Sequence, residues 1–312
     1  MPADQDAAVV EPAVEAVIRA VAAWDGLQPR AVTPISGGIT NRNFRVDIGD
    51  GSFVIRLVGK DTDLLGIDRG AENAAATAAA AAGVAPEVVA FLPDHGALIT
   101  RFVEGAPIAT EDLQRGDVLE GVVASIRAIH SMLPIPSTFD AFRVVEEYRE
   151  VAAAHGVRIP PAFDRVHERA GDIEEVFSRA AISPRPCHND LLNANFLMTS
   201  ERVVIVDYEY AGMGNLFFDL GNFSINNGLS EEAQGELLRL YFGDVTPTLV
   251  ARLQLMRIMS DGREAMWGVV QQGISTLDFD YVEYANRHFA RCLQTAADPR
   301  FETWLRDAMN ET

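Results

Sequence analysis

The amino-acid sequence predicts an α+β chain in two parts, a small antiparallel sheet followed by a large, mainly helical region. Three observations carry the prediction. At 312 residues the chain is about twice the usual span of one domain. Short β-branched or alternating stretches cluster between Val32 and Val103, as half-buried strands require. From Thr110 onward apolar residues recur mostly at helical spacing.

In order, residues 6–24 align Val10, Val14, Val17, Ile18 and Val21 on one helical face. Strands are expected at Val32–Ile35, Asn43–Ile48 and Ser52–Val58, broken by Ser36-Gly37-Gly38 and Gly49-Asp50-Gly51. The Asp-Gly pair in the second break is a strong hairpin signal. An alanine-rich helix runs from Asp68 to Ala82 and stops at Gly83. Strands Glu87–Phe91 and Ala97–Val103 complete the sheet. Helices are then expected over 110–132, 140–155 and 160–182. Periodicity lapses between Pro184 and Asp207, where a loop leads into strands Asn195–Met198 and Val203–Val206. After Asn215 helices resume, over 230–243, 247–272, 278–295 and 299–310. A Gly/Pro-containing connector at 103–107 sets the division into 1–104, with the leading helix, and 105–312.

Lys and Arg total 26 against 45 Asp and Glu, a net charge of −19. Such a surface repels phosphate backbones, so no nucleic-acid partner is expected, and cationic small ligands are favoured. No apolar run approaches the ~18 residues of a membrane span, so no membrane insertion is expected. The two cysteines, Cys187 and Cys292, form no ligand pattern, and the acidic start Met1–Ala8 lacks signal-peptide order. A reduced, cytoplasmic protein is expected.

The strongest chemical signal is Cys187–Leu197, which contains His188-x-Asp190-x-x-x-x-Asn195 and leads through a strand to Asp207-Tyr208-Glu209. Asp and Asn also favour ordinary turns. The flanking hairpin and the terminal Asp207 set this stretch apart from a chance loop. Phosphoryl transfer needs groups of these types: a carboxylate facing the attacking hydroxyl, and oxygen ligands holding Mg²⁺ against the phosphates. Asp190 suits the catalytic role, Asn195 and Asp207 the metal.

These residues resemble those of the choline/ethanolamine kinase and aminoglycoside phosphotransferase superfamily, whose bilobal fold is protein-kinase-like. The similarity spans about Ile35 to Ala290. It is closest to the choline kinase branch through Gly37–Asn41, Ile205–Tyr210 with Asp219–Asn222, and Met266-Trp267-Gly268 with Phe279–Ala285. The resemblance implies ATP and Mg²⁺ as cofactors and a small cationic alcohol, choline or ethanolamine, as acceptor. It implies phosphate binding by Gly37, Gly38, Thr40 and Asn41, and by Arg56 held by Glu72. The connector around Arg101 and Val103 would pair with adenine through its backbone. His188 and Asp219 would brace the catalytic loop. Asp219 also suits a helix N-cap. Asp68 and Arg69 read as solvated residues at a helix start.

For the acceptor, the resemblance implies Glu209, Asn226, Trp267 and Tyr284, while Tyr281 reads as core. Cations are drawn to aromatic faces by ~0.5–2 kcal/mol per contact. The chain departs from the family where a second tryptophan is usual, because Val269 and Val270 stand there, and where an acidic residue is usual, because Asn226 stands there. Acceptors left open are aminoglycosides, thiamine, methylthioribose and homoserine. A non-catalytic nucleotide-binding module is the reading of another class. Any self-association expected is a homodimer.

Overall fold

The computed structural model describes residues 11–35, 41–180 and 182–310. The elements, in chain order, begin with α1 (Pro12–Ala20), β1 (Pro29–Ile35), β2 (Asn41–Ile48), β3 (Gly51–Val58), α2 (Arg69–Ala81), β4 (Val88–Leu92) and β5 (Ala97–Arg101). Then come β6 (Ala106–Pro107), α3 (Gly116–His130), α4 (Ala141–Ala154), α5 (Ala162–Arg179), β7 (Arg185–Cys187), β8 (Phe196–Met198), β9 (Val203–Ile205) and β10 (Gly212–Gly214). The chain ends in helices α6 (Leu216–Asn226), α7 (Glu231–Phe242), α8 (Pro247–Ile274), α9 (Tyr281–Ala296) and α10 (Phe301–Asp307). Two compact units result, one reaching Thr62 and including Pro86–Glu104, the other holding Asp63–Ala85 and the chain from Gly105.

The first unit is a five-stranded antiparallel sheet in the order β1-β2-β3-β5-β4. Side chains of a strand alternate between faces. Phe53, Ile55 and Leu57 therefore join Val14, Val17 and Ile18 of α1 in one buried cluster. Trp24 closes its end, 5.0 Å from the Phe53 ring. Arg56 falls on the opposite face of β3, paired in register with Asn43 and Leu98. The β2–β3 hairpin forms where expected but one residue earlier than the Asp-Gly pair suggests. Ile48 pairs with Gly51, so the loop is Gly49-Asp50, with Gly49 at φ +55°.

The second unit is built on α8, a 28-residue helix buried along most of its length. That burial takes in charged side chains as well as apolar ones, among them Arg252, Asp261, Arg263 and Glu264. Helices α4, α6, α9 and α10 pack against it. Gly221 sits where α6 meets α8, and Gly268 where α8 meets α9. Two small sheets, β7 with β10 and β6-β8-β9, hold the loops after Cys187 and Ile205.

Helix α2 belongs with this helical unit, whereas the sequence division at 104 groups it with the sheet. The reason is a set of polar ties. Ile205 N–H donates to the Val84 carbonyl (2.8 Å) and Arg202 to the Gly83 carbonyl (3.0 Å). Tyr148 O–H donates to the Leu65 carbonyl (3.2 Å). Asp68 caps α2, accepting from Ala71 N–H at 2.9 Å, and is exposed as expected.

A methyl group on Gly221 would lie 2.7–2.9 Å from the Met256 and Arg257 backbone, which cannot swing aside. Alanine would gain about 1 kcal/mol of helix propensity. Overpacking a close crossing costs about 1–3 kcal/mol, so the clash should win. Gly221→Ala is expected to lower the urea midpoint of unfolding; a raised midpoint would mean that the two helices do not approach this closely.

Candidate active site

Strand β7 delivers the chain into a loop, 188–192, whose backbone is fixed in part by side chains of α6 and its C-cap Asn227. Asp219 accepts from His188 N–H (2.8 Å) through Oδ2 and from Asn189 N–H (2.6 Å) through Oδ1. Asn222 accepts from Leu191 N–H (2.6 Å), and Asn227 donates to the Leu191 carbonyl (2.9 Å). Asp219 is not the N-cap of α6; Asn215 is, accepting from Phe217 N–H at 3.0 Å. Asp219 lies one turn further in, where its carboxylate is wholly buried against the loop.

His130 donates from Nε2 to Asp219 Oδ2 (3.0 Å), and its Nδ1 lies 2.7 Å from the Tyr241 hydroxyl. Ligand atoms of His130, Cys187 and Asp219 lie within 4.8 Å of one another. Burial pushes the Cys187 thiol up, and the Asp219 oxygens are committed to hydrogen bonds. This trio is a brace.

The loop turns sharply at Asn189, φ +67°, a left-handed conformation that asparagine tolerates. Its Nδ2 donates to the Tyr210 carbonyl (2.9 Å). His188 is fully buried. Its Nε2–H donates to the Val206 carbonyl (3.0 Å), and its Nδ1 accepts from Asp190 N–H (3.3 Å). Burial lowers its pKa, so the imidazole stays neutral and fixes the loop from within.

Asp190 and Asn195 meet. Asn195 Nδ2 donates to the Asp190 carbonyl (2.8 Å) and to Asp190 Oδ2 (3.3 Å). Among the described residues no hydrogen bond uses Asn195 Oδ1. Val206 N–H donates to the Asn195 carbonyl (3.0 Å), which ties Asp207, the next residue, to the same loop. Asp207 adopts φ +70°, a conformation non-glycine residues hold only when their surroundings enforce it. Burial pushes the Asp190 carboxyl up to about 8. Arg263 opposes the shift, and Glu264, Asp207 and Glu209 add to it.

Glu209 and Glu72 are both buried and both accept from Arg69 Nη1, at 3.3 and 2.7 Å. Arg69, expected to be solvated, is largely enclosed, with 18% of its side chain exposed. The two carboxylates draw its guanidinium inward.

Trp267 and Tyr284 come together edge to face, centroids 5.4 Å apart. The Trp267 indole N–H donates to the Tyr210 hydroxyl (3.1 Å), and Tyr284 O–H donates to Glu264 Oε2 (2.7 Å). Tyr281 is buried and its hydroxyl lies 2.8 Å from that of Ser275, as its reading as core requires. Val269 and Val270 are fully buried. Asn226 is drawn to Arg291, which donates to its Oδ1 (3.2 Å) while clasping Asp261.

Asn41 opens β2, buried; Gly37, Gly38 and Thr40 lie outside the described residues. Arg101, exposed at the end of β5, pairs with Glu87 (2.8 Å). Among the described residues no backbone hydrogen bond takes the N–H or carbonyl of Val103.

The sequence reading missed Arg263 and Glu264, consecutive on α8. Arg263 is 1% exposed; its Nη1 donates to Glu264 Oε1 (2.7 Å) and lies 3.5 Å from Asp190 Oδ1. Its guanidinium stacks on the Tyr210 ring at 4.2 Å. Their neighbours Ser260, Asp261 and Gly262 give them the local look of an exposed polar stretch, so the sequence carried no signal.

A family model described as phosphotransferase enzyme family matches residues 31–253. Ethanolamine kinase 1 of Mus musculus is 26% identical over 313 residues, covering 84% of this chain and 82% of its own. Protein LicA of Haemophilus influenzae is 28% identical over 214 residues, 66% of this chain, but only 61% of LicA itself is spanned. A solved choline/ethanolamine kinase family protein from Mesorhizobium loti superposes with a TM-score of 0.81 at 30% identity, covering 95% of this chain and 98% of its own. The chain belongs to the phosphotransferase enzyme family.

Proposed function

We propose that the protein transfers the γ-phosphate of ATP to the hydroxyl of a small amino-alcohol, choline or ethanolamine. The observation that carries the reading is the junction of Asp190 and Asn195 in one braced loop that runs on to Asp207. In the reaction Asp190 accepts the hydroxyl proton late, as the alcohol oxygen bonds to the γ-phosphorus. The bond to the β,γ-bridging oxygen breaks and ADP leaves.

Magnesium fits the donors here. Asn195 has spent its nitrogen on Asp190, which leaves Oδ1, and Asp207 offers a carboxylate; both are the hard oxygens this ion selects. When bound, it would neutralise charge on the phosphate oxygens. Arg56 with the Gly37–Asn41 segment is proposed to bind the phosphates, and the Val103 backbone the adenine. A cytoplasmic setting fits the two buried, unpaired thiols.

The Trp267–Tyr284 pair supports a small cationic acceptor. Both Glu264 oxygens are already taken, by Arg263 and Tyr284. Arg287 lies over the Tyr284 ring at 5.4 Å, which shows that this aromatic pair accommodates a cation, as an ammonium acceptor requires. The relatives named for choline and ethanolamine support the same class.

Asp190→Ala should lower kcat by a factor on the order of 10²–10⁴, the usual contribution of a general base, with ADP affinity by calorimetry intact. Retained turnover would remove Asp190 from the chemistry. Asp207→Ala should instead abolish magnesium-dependent nucleotide binding in the same titration. Trp267→Ala should raise KM for the amine roughly tenfold at unchanged KM for ATP. Coupled ATP consumption with choline, ethanolamine, thiamine, methylthioribose, homoserine and aminoglycosides tests the acceptor class. No turnover with any of them would favour a non-catalytic module.

A further inference from the structure

The buried guanidinium of Arg263 has no evident structural use that justifies it. Nη1 is satisfied by Glu264, but Nε and Nη2 are buried without a protein partner. A buried ion pair is weak evidence for stability, because desolvation offsets the attraction, and two unmet donors add to the cost. An apolar residue would fill this place in α8 more cheaply. Unmet buried groups of this kind call for an explanation elsewhere.

Its surroundings supply one. Asp190 is held on two sides: Oδ2 accepts from Asn195 Nδ2 (3.3 Å), and Oδ1 faces Arg263 Nη1 (3.5 Å). Contacts on both oxygens fix the rotation of the carboxylate, and with it the direction of the lone pair that meets the acceptor hydroxyl. Arg263 is itself immobile. It lies against the Tyr210 ring at 4.2 Å and is clamped at 2.7 Å by Glu264, whose other oxygen accepts from Tyr284. An unbroken polar chain thus runs from Tyr284 through Glu264 and Arg263 to Asp190.

We propose that Arg263 is a positioning residue that aims the Asp190 carboxylate, with Glu264 and Tyr284 holding the guanidinium in register. The proposal rests on the reading of Asp190 as the catalytic carboxylate. Misplacing a reacting group by about 1 Å can cost a factor on the order of 10² in rate, so that is the expected loss.

The test is steady-state kinetics on the full chain with choline, ethanolamine or whichever acceptor the screen identifies, alongside thermal unfolding and ADP titration. Arg263→Met should lower kcat about a hundredfold while KM for ATP and ADP affinity hold. Because Met alone strands the Glu264 charge, Arg263→Met/Glu264→Met removes the pair together and should show the same kcat loss. If neither folds, Arg263→Lys decides. Lysine keeps the charge but lacks the planar guanidinium that lies on the Tyr210 ring and sets the direction of Nη1, so kcat must fall at unchanged KM for ATP. Wild-type kcat in any folded variant overturns the proposal. So does a kcat loss matched by an equal loss of nucleotide affinity, which is the mark of general disruption. Asp190→Asn separates the two claims. If it retains turnover, the catalytic reading itself fails; if it is dead while Arg263 variants are fully active, only the positioning role falls.

Discussion

The carboxylate of Asp219 is the point on which the active loop depends. It lies fully buried on α6 and accepts two backbone N–H groups of the loop and one imidazole N–H, all within 3.0 Å. A loop with a left-handed asparagine and short flanking strands has little regular structure to satisfy its own backbone. Left alone, each buried donor would cost about 1–3 kcal/mol. Asp219, Asn222 and Asn227 take over part of that task from α6 and its C-cap, while the Asp190 N–H and carbonyl are held from within the segment by His188 and Asn195. Gly221, between two of these residues, lets α6 close on α8.

Helix α8 carries the other half of the arrangement. It brings Arg263 and Glu264 to the Asp190 carboxylate and Trp267 to Tyr284, one turn further on. Asp190 stands among Asp207, Glu209 and Glu264, all of which raise its pKa, with Arg263 as the counterweight. Burial is the larger influence on Asp190. Of the charged groups named here, Arg263 alone opposes the rise.

Much of this was legible in the sequence because it is local. Strand alternation in Phe53–Leu57, the glycine stop after α2 and the spacing from His188 to Asn195 are each properties of a few consecutive residues. Asp190, Asn195 and Asp207 could be singled out for the same reason, since the hairpin that returns Asp207 to Asn195 lies within that stretch. Hairpin register was less exact: Gly49 and Gly51 flank one aspartate, and either could have supplied the positive φ. Short strands such as β7 and β10 escaped notice because three residues carry no periodicity, and only long-range pairing defines them.

What the sequence concealed were charges that look solvated and are not. Arg69 at a helix start and Arg263 inside a helix have the same local appearance as surface arginines. Each pairs most closely with a carboxylate on its own helix, Glu72 for the one and Glu264 for the other, and more loosely with one far along the chain, Glu209 and Asp190. A charge enters the interior only where such partners converge, and the fold decides that those carboxylates are themselves buried. The same convergence fixes where α2 belongs. By bonding both Glu72, on its own helix, and Glu209, just beyond the β8–β9 hairpin, Arg69 binds α2 to the helical unit. Polar residues placed in this way act as cross-links, and they concentrate around Asp190 because the carboxylate crowding there needs cations that solvent cannot supply.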